Sequence, residues 1–178
     1  KTRPCLFILG LFLTGLFARA AETRIELGGE LNARWLKPDA GWSGRAVLML
    51  HGFASDSEGP ADSQRRLAEA LAARGIASLR VNFRGEGDSA RTAIESTCTG
   101  RVADTETARV WVLAQPGVDP ARLGVFGWSL GGATAVGAAG AHPDWFKAMV
   151  LWSSVTGDAY ATMAGGALAA AAAQAEAT

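Results

Sequence analysis

Cysteine and histidine are both scarce in this chain, which has two of each among its 178 residues. Cys5 lies in an N-terminal segment that we expect to be removed, and Cys98 is then the only thiol left. A single thiol excludes an intrachain disulfide even in an oxidising compartment. Cys98 lies in a stretch rich in serine and threonine, which we interpret as a loop that carries an incidental rather than a reactive cysteine.

An excess of one charge is also missing, because 17 lysines and arginines balance 17 aspartates and glutamates. No run of basic residues follows the first few positions, so nothing indicates nucleic acid or an anionic membrane surface as a partner. The sequence has neither internal repeats nor an interdomain linker. Apolar residues make up 49% of the chain, which is enough for a core, and we expect one domain over residues 21–178.

No apolar run reaches the roughly 20 residues that a membrane span requires. The run Leu6–Phe17 is uncharged and mostly apolar but too short; Lys1 and Arg3 precede it, and the small-x-small pattern Ala18–Ala20 follows it. This arrangement is typical of a secretory signal peptide. We predict a signal peptide over residues 1–20 and export to the periplasm or the exterior, with an uncleaved anchor as the alternative.

The most informative motif that is present is Gly127–Gly132, with the sequence Gly-Trp-Ser-Leu-Gly-Gly. An apolar run, Leu123–Phe126, precedes it and a segment of small residues follows it, which predicts a strand, a sharp turn and a helix. In a G-x-S-x-G elbow the serine backbone is strained, and its hydroxyl projects from the sheet beside the helix N-terminus. Glycine is expected on either side because a β-carbon there would collide with the neighbouring strand or helix. We predict that Ser129 is a nucleophile; the alternative, a plain glycine-rich turn, is disfavoured by the flanking strand and helix.

A second element lies upstream, where the apolar run Arg45–Leu50 predicts a buried strand that ends at His51-Gly52-Phe53. Acyl transfer requires stabilisation of an oxyanion, usually by two backbone N–H groups, one just after the nucleophile and one from this strand-to-helix loop. We assign these donors to Leu130 and Phe53. His51 is interpreted as packing and orienting the loop, with a role as catalytic base as the alternative.

Strands and helices alternate along the rest of the sequence. The patterns predict helices over residues 61–74 and 102–114 and a third that ends at 141. They predict strands over residues 76–83 and 123–126 and another buried strand over residues 148–152. Such alternation favours a parallel sheet with right-handed crossovers, in which reactive groups lie at the carboxyl ends of the strands.

The stretch Arg84–Ser89 is rich in glycine and follows a strand directly, a position at which phosphate can bind. Its spacing fits neither a dinucleotide-binding motif nor a P-loop, and Glu86 and Asp88 would repel a phosphate. We interpret it as a structural turn near the rim of the site, in which Arg84 anchors backbone carbonyls or a carboxylate.

The segments His51–Phe53, Val81–Ser89 and Gly117–Gly132, in this order and spacing, resemble the α/β-hydrolase superfamily and in particular its esterase and serine aminopeptidase branch. The similarity covers about residues 29–157. The resemblance implies an α/β fold with a mostly parallel sheet and helices on both faces, no cofactor, and a triad of serine, acid and histidine in that chain order. No metal site is predicted.

The histidine and acid of such a triad are hard to find here, although a serine hydroxyl needs an adjacent base to react. His51 lies in the oxyanion loop, and His142 ends the helix after Ser129, on the side that faces away from the site. In the family that the sequence resembles, the base comes on a loop after the last strand and the acid usually after the strand beyond Trp152, so the resemblance implies that the histidine, and in most cases the acid, lie beyond Thr178. Asp158 is the one acid placed soon after the last predicted strand and is a candidate for the triad acid in its less common position, although we favour a loop-capping or solvated role for it.

The end of the sequence, residues 160–178, is an alanine-rich, low-complexity tail. We interpret residues 21–178 as an incomplete α/β-hydrolase domain that lacks its last strands. One edge of the sheet should then be exposed, and the chain as given should be inactive.

These patterns together predict an exported serine hydrolase that cleaves carboxylic esters. A serine peptidase or amidase of the same fold is the first alternative, because nothing in the sequence fixes the leaving group. A non-catalytic protein that keeps the scaffold is the second. The expected partner is a small-molecule ester or peptide substrate, with no nucleic acid, no cofactor and no stable membrane span.

Overall fold

The structure, a computed structural model, describes residues 22–29, 31–89 and 97–155. Within these ranges six strands form one sheet, and three α-helices pack on it. The strands are β1 (Glu22–Leu27), β2 (Leu31–Leu36), β3 (Ala46–Leu50), β4 (Ala77–Asn82), β5 (Leu123–Trp128) and β6 (Ala148–Trp152). The helices are α1 (Ser63–Ala72), α2 (Cys98–Leu113) and α3 (Leu130–Ala141).

The strands lie in the order β1-β2-β4-β3-β5-β6. β1 and β2 form an antiparallel hairpin, and β2 also pairs antiparallel with β4. The pairings of β4 with β3, β3 with β5 and β5 with β6 are all parallel. The expected α/β fold with a mostly parallel sheet is confirmed, and the carboxyl ends of β3, β4, β5 and β6 meet at one edge.

Helices cover both faces of the sheet. On one face, Ala68 of α1 packs in a cluster with Met49 of β3. On the other face, Ala108 of α2 and Ala135 of α3 pack in a cluster with Leu48. Because successive side chains of a strand point to opposite faces, a strand buried on both sides is apolar throughout, and Leu48 and Met49 are both fully buried.

The second helix differs from its prediction. α2 begins at Cys98 rather than near Val102, because the Thr97 side chain caps it by accepting a hydrogen bond from the N–H of Gly100 at 3.0 Å. The interpretation of Cys98 as a loop residue is therefore wrong. It is the first residue of this helix, and its free thiol is exposed.

Several predictions fall on residues that the structure does not describe. The signal peptide over residues 1–20, the candidate acid Asp158 and the tail over residues 160–178 lie outside the described ranges and stay predictions. Within residues 22–29, 31–89 and 97–155, no helix has the length and apolar character needed to cross a membrane. Residues 148–152 form a strand as predicted, but the prediction that it is buried is wrong: β6 is an edge strand of the described sheet, and its Val150, Leu151 and Trp152 are exposed.

Candidate active site

Ser129 occupies the turn between β5 and α3, at the carboxyl edge of the sheet. Its backbone has a φ of 53° and a ψ of −119°, a conformation that residues other than glycine rarely adopt. Its N–H donates to the carbonyl of Trp152 at 3.0 Å. Its carbonyl accepts from the N–H of Gly132 at 3.0 Å and from that of Val155 at 3.3 Å. Such strain costs about 1–3 kcal/mol and persists only where the surroundings enforce it, as these bonds do here.

The glycines on either side of Ser129 allow α3 to approach the ends of the neighbouring strands closely. A β-carbon at Gly127 would lie 2.5 Å from the carbonyl oxygen of Gly131. A β-carbon at Gly131 would collide with the carbonyl group of Leu50 and lie 2.6 Å from the carbonyl oxygen of His51. Carbon atoms in contact are normally about 3.5–4.0 Å apart, so the prediction that close packing requires glycine at both positions is confirmed.

The loop after β3 lies directly against this turn. A β-carbon at Gly52 would be 3.1 Å from Cβ of Ser129 and 2.9 Å from the ring of Trp128. Within the described residues, no hydrogen bond engages the N–H of Phe53 or of Leu130. Leu130 is the first residue of α3, where the N–H groups have no partner inside the helix and carry partial positive charge. The structure thus brings the two predicted oxyanion donors to Ser129, and their catalytic role stays a prediction.

His51 is fully buried at the start of the same loop. Its Nδ1 lies 2.6 Å from the carbonyl oxygen of Gly52, which can only accept, so Nδ1 carries the proton. Nε2 then accepts the N–H of Phe83 at 3.3 Å. Burial, and next the charge of Arg101, lower the pKa of His51 to about 3, against the hydrogen bond to Gly52 that raises it. A neutral ring with both nitrogens engaged orients the loop and cannot deprotonate Ser129.

His142 lies beyond the far end of α3 from Ser129. The helix runs from Leu130 to Ala141, which separates the two residues by about 18 Å at 1.5 Å per residue. The His142 ring stacks on that of Trp145, with 3.9 Å between the ring centroids. Neither histidine of the sequence is therefore placed to act as a base at Ser129.

The turn over residues 84–89 is held by ion pairs to neighbouring elements. The backbone N–H and the Nε of Arg84 donate to the carboxylate of Asp104 at 3.1 and 2.7 Å. Asp88 accepts from Arg34 at 2.7 Å, and Arg24 lies 3.3 Å from the same oxygen. The prediction of a structural turn in which Arg84 anchors a carboxylate is confirmed.

Arg101 and Glu86 form a buried ion pair beside the site, a feature that was not predicted from the sequence. Nη1 of Arg101 donates to Oε2 of Glu86 at 2.5 Å, and both side chains are shielded from solvent. The sequence does contain a signal for a buried partner of Arg101, because Arg101 shares a helical face with Ala108 and Val112, which point to the core. An arginine on such a face is buried only when it is paired.

The described site places the Ser129 side chain beside the segments of Phe53 and Leu130, whose N–H groups have no hydrogen bond among the described residues. Among the described residues, no three histidine, cysteine, aspartate or glutamate side chains are grouped so that they could hold a metal ion. A hydroxyl beside such N–H groups suits addition to a carbonyl, because the hydroxyl oxygen bonds to the carbon while the N–H groups donate hydrogen bonds to the oxygen on which negative charge develops.

Solved structures similar to this fold include two hydrolases. The dienelactone hydrolase of Anabaena variabilis matches with a TM-score of 0.62 and 24% identity, over 76% of this chain and 64% of that chain. A cold-adapted esterase from an Arctic intertidal metagenomic library matches with a TM-score of 0.57 and 22% identity, over 73% of this chain and 58% of that chain. These likenesses show a common fold.

Sequence relatives are also found. An uncharacterised protein of Mycobacterium tuberculosis is 39% identical over 133 residues, which are 74% of this chain and 42% of the relative. The chain thus spans less than half the length of that curated relative. The sequence pattern described as serine aminopeptidase, S33, matches residues 43–176. The chain belongs to the serine aminopeptidase S33 family, and thereby to the α/β-hydrolase superfamily.

Proposed function

We propose that this protein is an exported serine hydrolase that cleaves carboxylic esters, with Ser129 as its nucleophile. The observation that carries the proposal is the strained backbone of Ser129 beside the N–H groups of Phe53 and Leu130, which have no hydrogen bond among the described residues. Membership of a hydrolase family supports hydrolysis. The similar structures named as an esterase and a dienelactone hydrolase support an ester, since a lactone is a cyclic ester. The pattern of residues 1–20 supports export.

In the proposed reaction, Oγ of Ser129 attacks the carbonyl carbon of the ester while its proton passes to a general base. The carbonyl oxygen becomes an oxyanion and accepts hydrogen bonds from the N–H groups of Phe53 and Leu130. Collapse of this intermediate breaks the bond to the alcohol, which leaves with the proton from the base. Water then hydrolyses the acyl-serine, releases the acid and restores the hydroxyl.

We further propose that the base is a histidine supplied beyond Thr178. His51 is buried with both nitrogens engaged, and His142 lies about 18 Å from Ser129 along α3. The triad acid is either supplied by the same region or is Asp158. Residues 1–178 alone should therefore be inactive, and activity is to be measured on the complete gene product.

The proposal is tested by a fluorophosphonate probe, which reacts with activated serines, followed by mass spectrometry of the digested protein. We expect one adduct, on Ser129. The matched variant Ser129→Ala should carry no adduct, and its hydrolysis of p-nitrophenyl butyrate should fall to the background rate. Folded, complete protein without an adduct on Ser129 would refute the proposal.

A peptidase or amidase is the second candidate function, favoured by the description of the family as serine aminopeptidases. The same acyl-serine would form, with an amine as the leaving group. Comparison of kcat/KM for p-nitrophenyl butyrate with kcat/KM for a series of aminoacyl p-nitroanilides distinguishes the two. A clear preference for the anilides would indicate that the substrate of this protein is an amide rather than an ester.

A further inference from the structure

Resting on the proposed function, we propose that Arg101 and Glu86 are positioning residues. Together they clamp the loop over residues 51–54 and hold the N–H of Phe53 in place opposite Ser129. Neither side chain reaches the reacting atoms; both act through the backbone of the loop.

Among the described residues, the guanidinium of Arg101 donates hydrogen bonds to three different segments of the chain. The side chain is fully buried. Its Nη2 donates to the carbonyl of His51 at the end of β3, and its Nη1 donates to Glu86 after β4. Its Nε donates to Oγ1 of Thr134 in α3 at 3.1 Å. A planar fork of donors can fix three partners in this way, whereas a lysine could not reproduce the geometry.

Glu86 completes the clamp on the other side of Phe53. Its Oε2 accepts from Arg101, and its Oε1 accepts the N–H of Ala54 at 2.6 Å. The pair thus holds the carbonyl two residues before Phe53 and the amide one position after it. Ala54 has a φ of 49°, a left-handed conformation that the hydrogen bond from its N–H helps to enforce.

The same guanidinium reaches the helix that carries the second donor. Oγ1 of Thr134, which accepts from Arg101, donates to the carbonyl of Leu130 at 2.9 Å. Leu130 is the first residue of α3 and the proposed second oxyanion donor. One side chain therefore connects the segments of both donors, so its position sets the distance between them.

A merely stabilising role explains the pair poorly. The desolvation of two buried charges generally cancels most of their attraction, and apolar residues of similar size often serve packing equally well. Charged groups with directed hydrogen bonds differ from apolar residues in that they also fix the positions of the atoms to which they bind. The guanidinium also lies 3.6 Å from the centre of the Phe83 ring. Because the backbone N–H of Phe83 donates to His51, this contact also helps to hold the loop.

The test is steady-state hydrolysis of p-nitrophenyl butyrate by the complete gene product carrying Glu86→Gln. The amide keeps the shape but turns an NH₂ group toward either Arg101 or Ala54, so one contact is lost. We expect kcat to fall about 10- to 100-fold, because displacement of an oxyanion donor by about 1 Å has effects of this size. KM should stay within about threefold, since ground-state binding does not use the clamp.

Asp104→Asn is the matched control. Asp104 is buried on the same helix as Arg101 and pairs with Arg84 of the same turn as Glu86, but it has no hydrogen bond or ion pair to the loop over residues 51–54 among the described contacts. Its kcat should stay within about twofold of the parent. A kcat for Glu86→Gln that equals that of this control would overturn the proposal.

A double variant, Glu86→Met with Arg101→Met, separates positioning from folding. Removal of both charges leaves neither member of this ion pair buried without the other, so this variant should fold even if the single one does not. A folded double variant with the parental kcat would overturn the clamp, and one with a reduced kcat and unchanged KM would support it.

Hydrogen exchange tests the positioning role of Arg101 and Glu86 independently of the proposed function. If the parent protein lacks an adduct on Ser129, the proposed function fails. The clamp itself is then judged by the exchange rate of the Ala54 amide, which should rise at least about 10-fold in Glu86→Gln and stay at the parental rate in Asp104→Asn. Equal rates in the two variants would overturn it.

Discussion

Replacement of Gly131 by alanine tests the geometry of the turn at Ser129 without touching the proposed chemistry. Gly131 is the second residue of α3, and its backbone lies against the last peptide of β3. A β-carbon there would overlap the carbonyl group of Leu50 and lie 2.6 Å from the carbonyl oxygen of His51. The obstacles are backbone atoms at the end of a central strand and at the start of the loop that follows it, so neither can rotate away as a side chain could.

The expected magnitude follows from two opposing effects. Glycine to alanine in a helix interior stabilises by about 1 kcal/mol. Against this, the helix must withdraw by about 1 Å to reach normal contact distances, and overpacking of this kind costs about 1–3 kcal/mol. Because backbone rather than side chain must move, we take the upper end and expect Gly131→Ala to lower the free energy of unfolding by about 2 kcal/mol.

Gly137→Ala, in the same helix, is the control. Its β-carbon would meet only Cγ2 of Val102 at 3.6 Å, an ordinary contact, so the variant should be about 1 kcal/mol more stable than the parent. Urea unfolding followed by tryptophan fluorescence measures both, with the midpoint and slope giving the free energy. The two variants should differ by about 3 kcal/mol. Equal stabilities would refute the close packing of α3 on β3.

The remaining predictions concern pH and backbone strain. The pKa of His51 is about 3 in the folded protein and about 6.5 in an unfolded chain. Between pH 3 and pH 6.5, therefore, the unfolded chain binds a proton at this ring that the folded protein does not. The free energy of unfolding should fall by about 4 kcal/mol as the pH drops from 6.5 to 3. His51→Gln should flatten this dependence in urea titrations at several pH values, and an unchanged slope would contradict the assignment. Ser129→Gly should release the strain of a positive φ and raise the free energy of unfolding, measured by urea titration, by about 1 kcal/mol relative to Ser129→Ala. Equal stabilities of these two variants would contradict the presence of backbone strain at Ser129.

The parallel half of the fold was predictable because its signals are local. A run that is apolar at every position indicates a strand buried on both faces, and residues 46–50 form such a strand as β3. The spacing of Gly127, Ser129 and Gly131 encodes a backbone conformation rather than a side-chain contact, so it could be recognised from the sequence. The catalytic roles assigned to Ser129, Phe53 and Leu130 remain predictions.

The features that were not predicted depend on partners far away in the sequence. β2 contains Asn32 and Arg34, which do not suggest an interior strand. In the structure the N–H of Asn32 donates to Ser89 at 2.7 Å and Arg34 donates to Asp88. Arg101 likewise finds its partners only through the fold. Local patterns cannot reveal such pairs, although a charged residue on a buried helical face signals that one must exist.

The departures from ordinary local structure cluster at the carboxyl edge of the sheet. Of the five residues other than glycine with positive φ in the described ranges, Ala54, Ser129 and Ser153 follow the ends of β3, β5 and β6. A buried ion pair and a neutral, buried His51 lie at the same edge. Each of these features costs stability, and glycine or apolar residues would avoid the cost. A plain glycine-rich turn would need none of them, so their concentration around one hydroxyl favours a site whose geometry is maintained at the expense of stability.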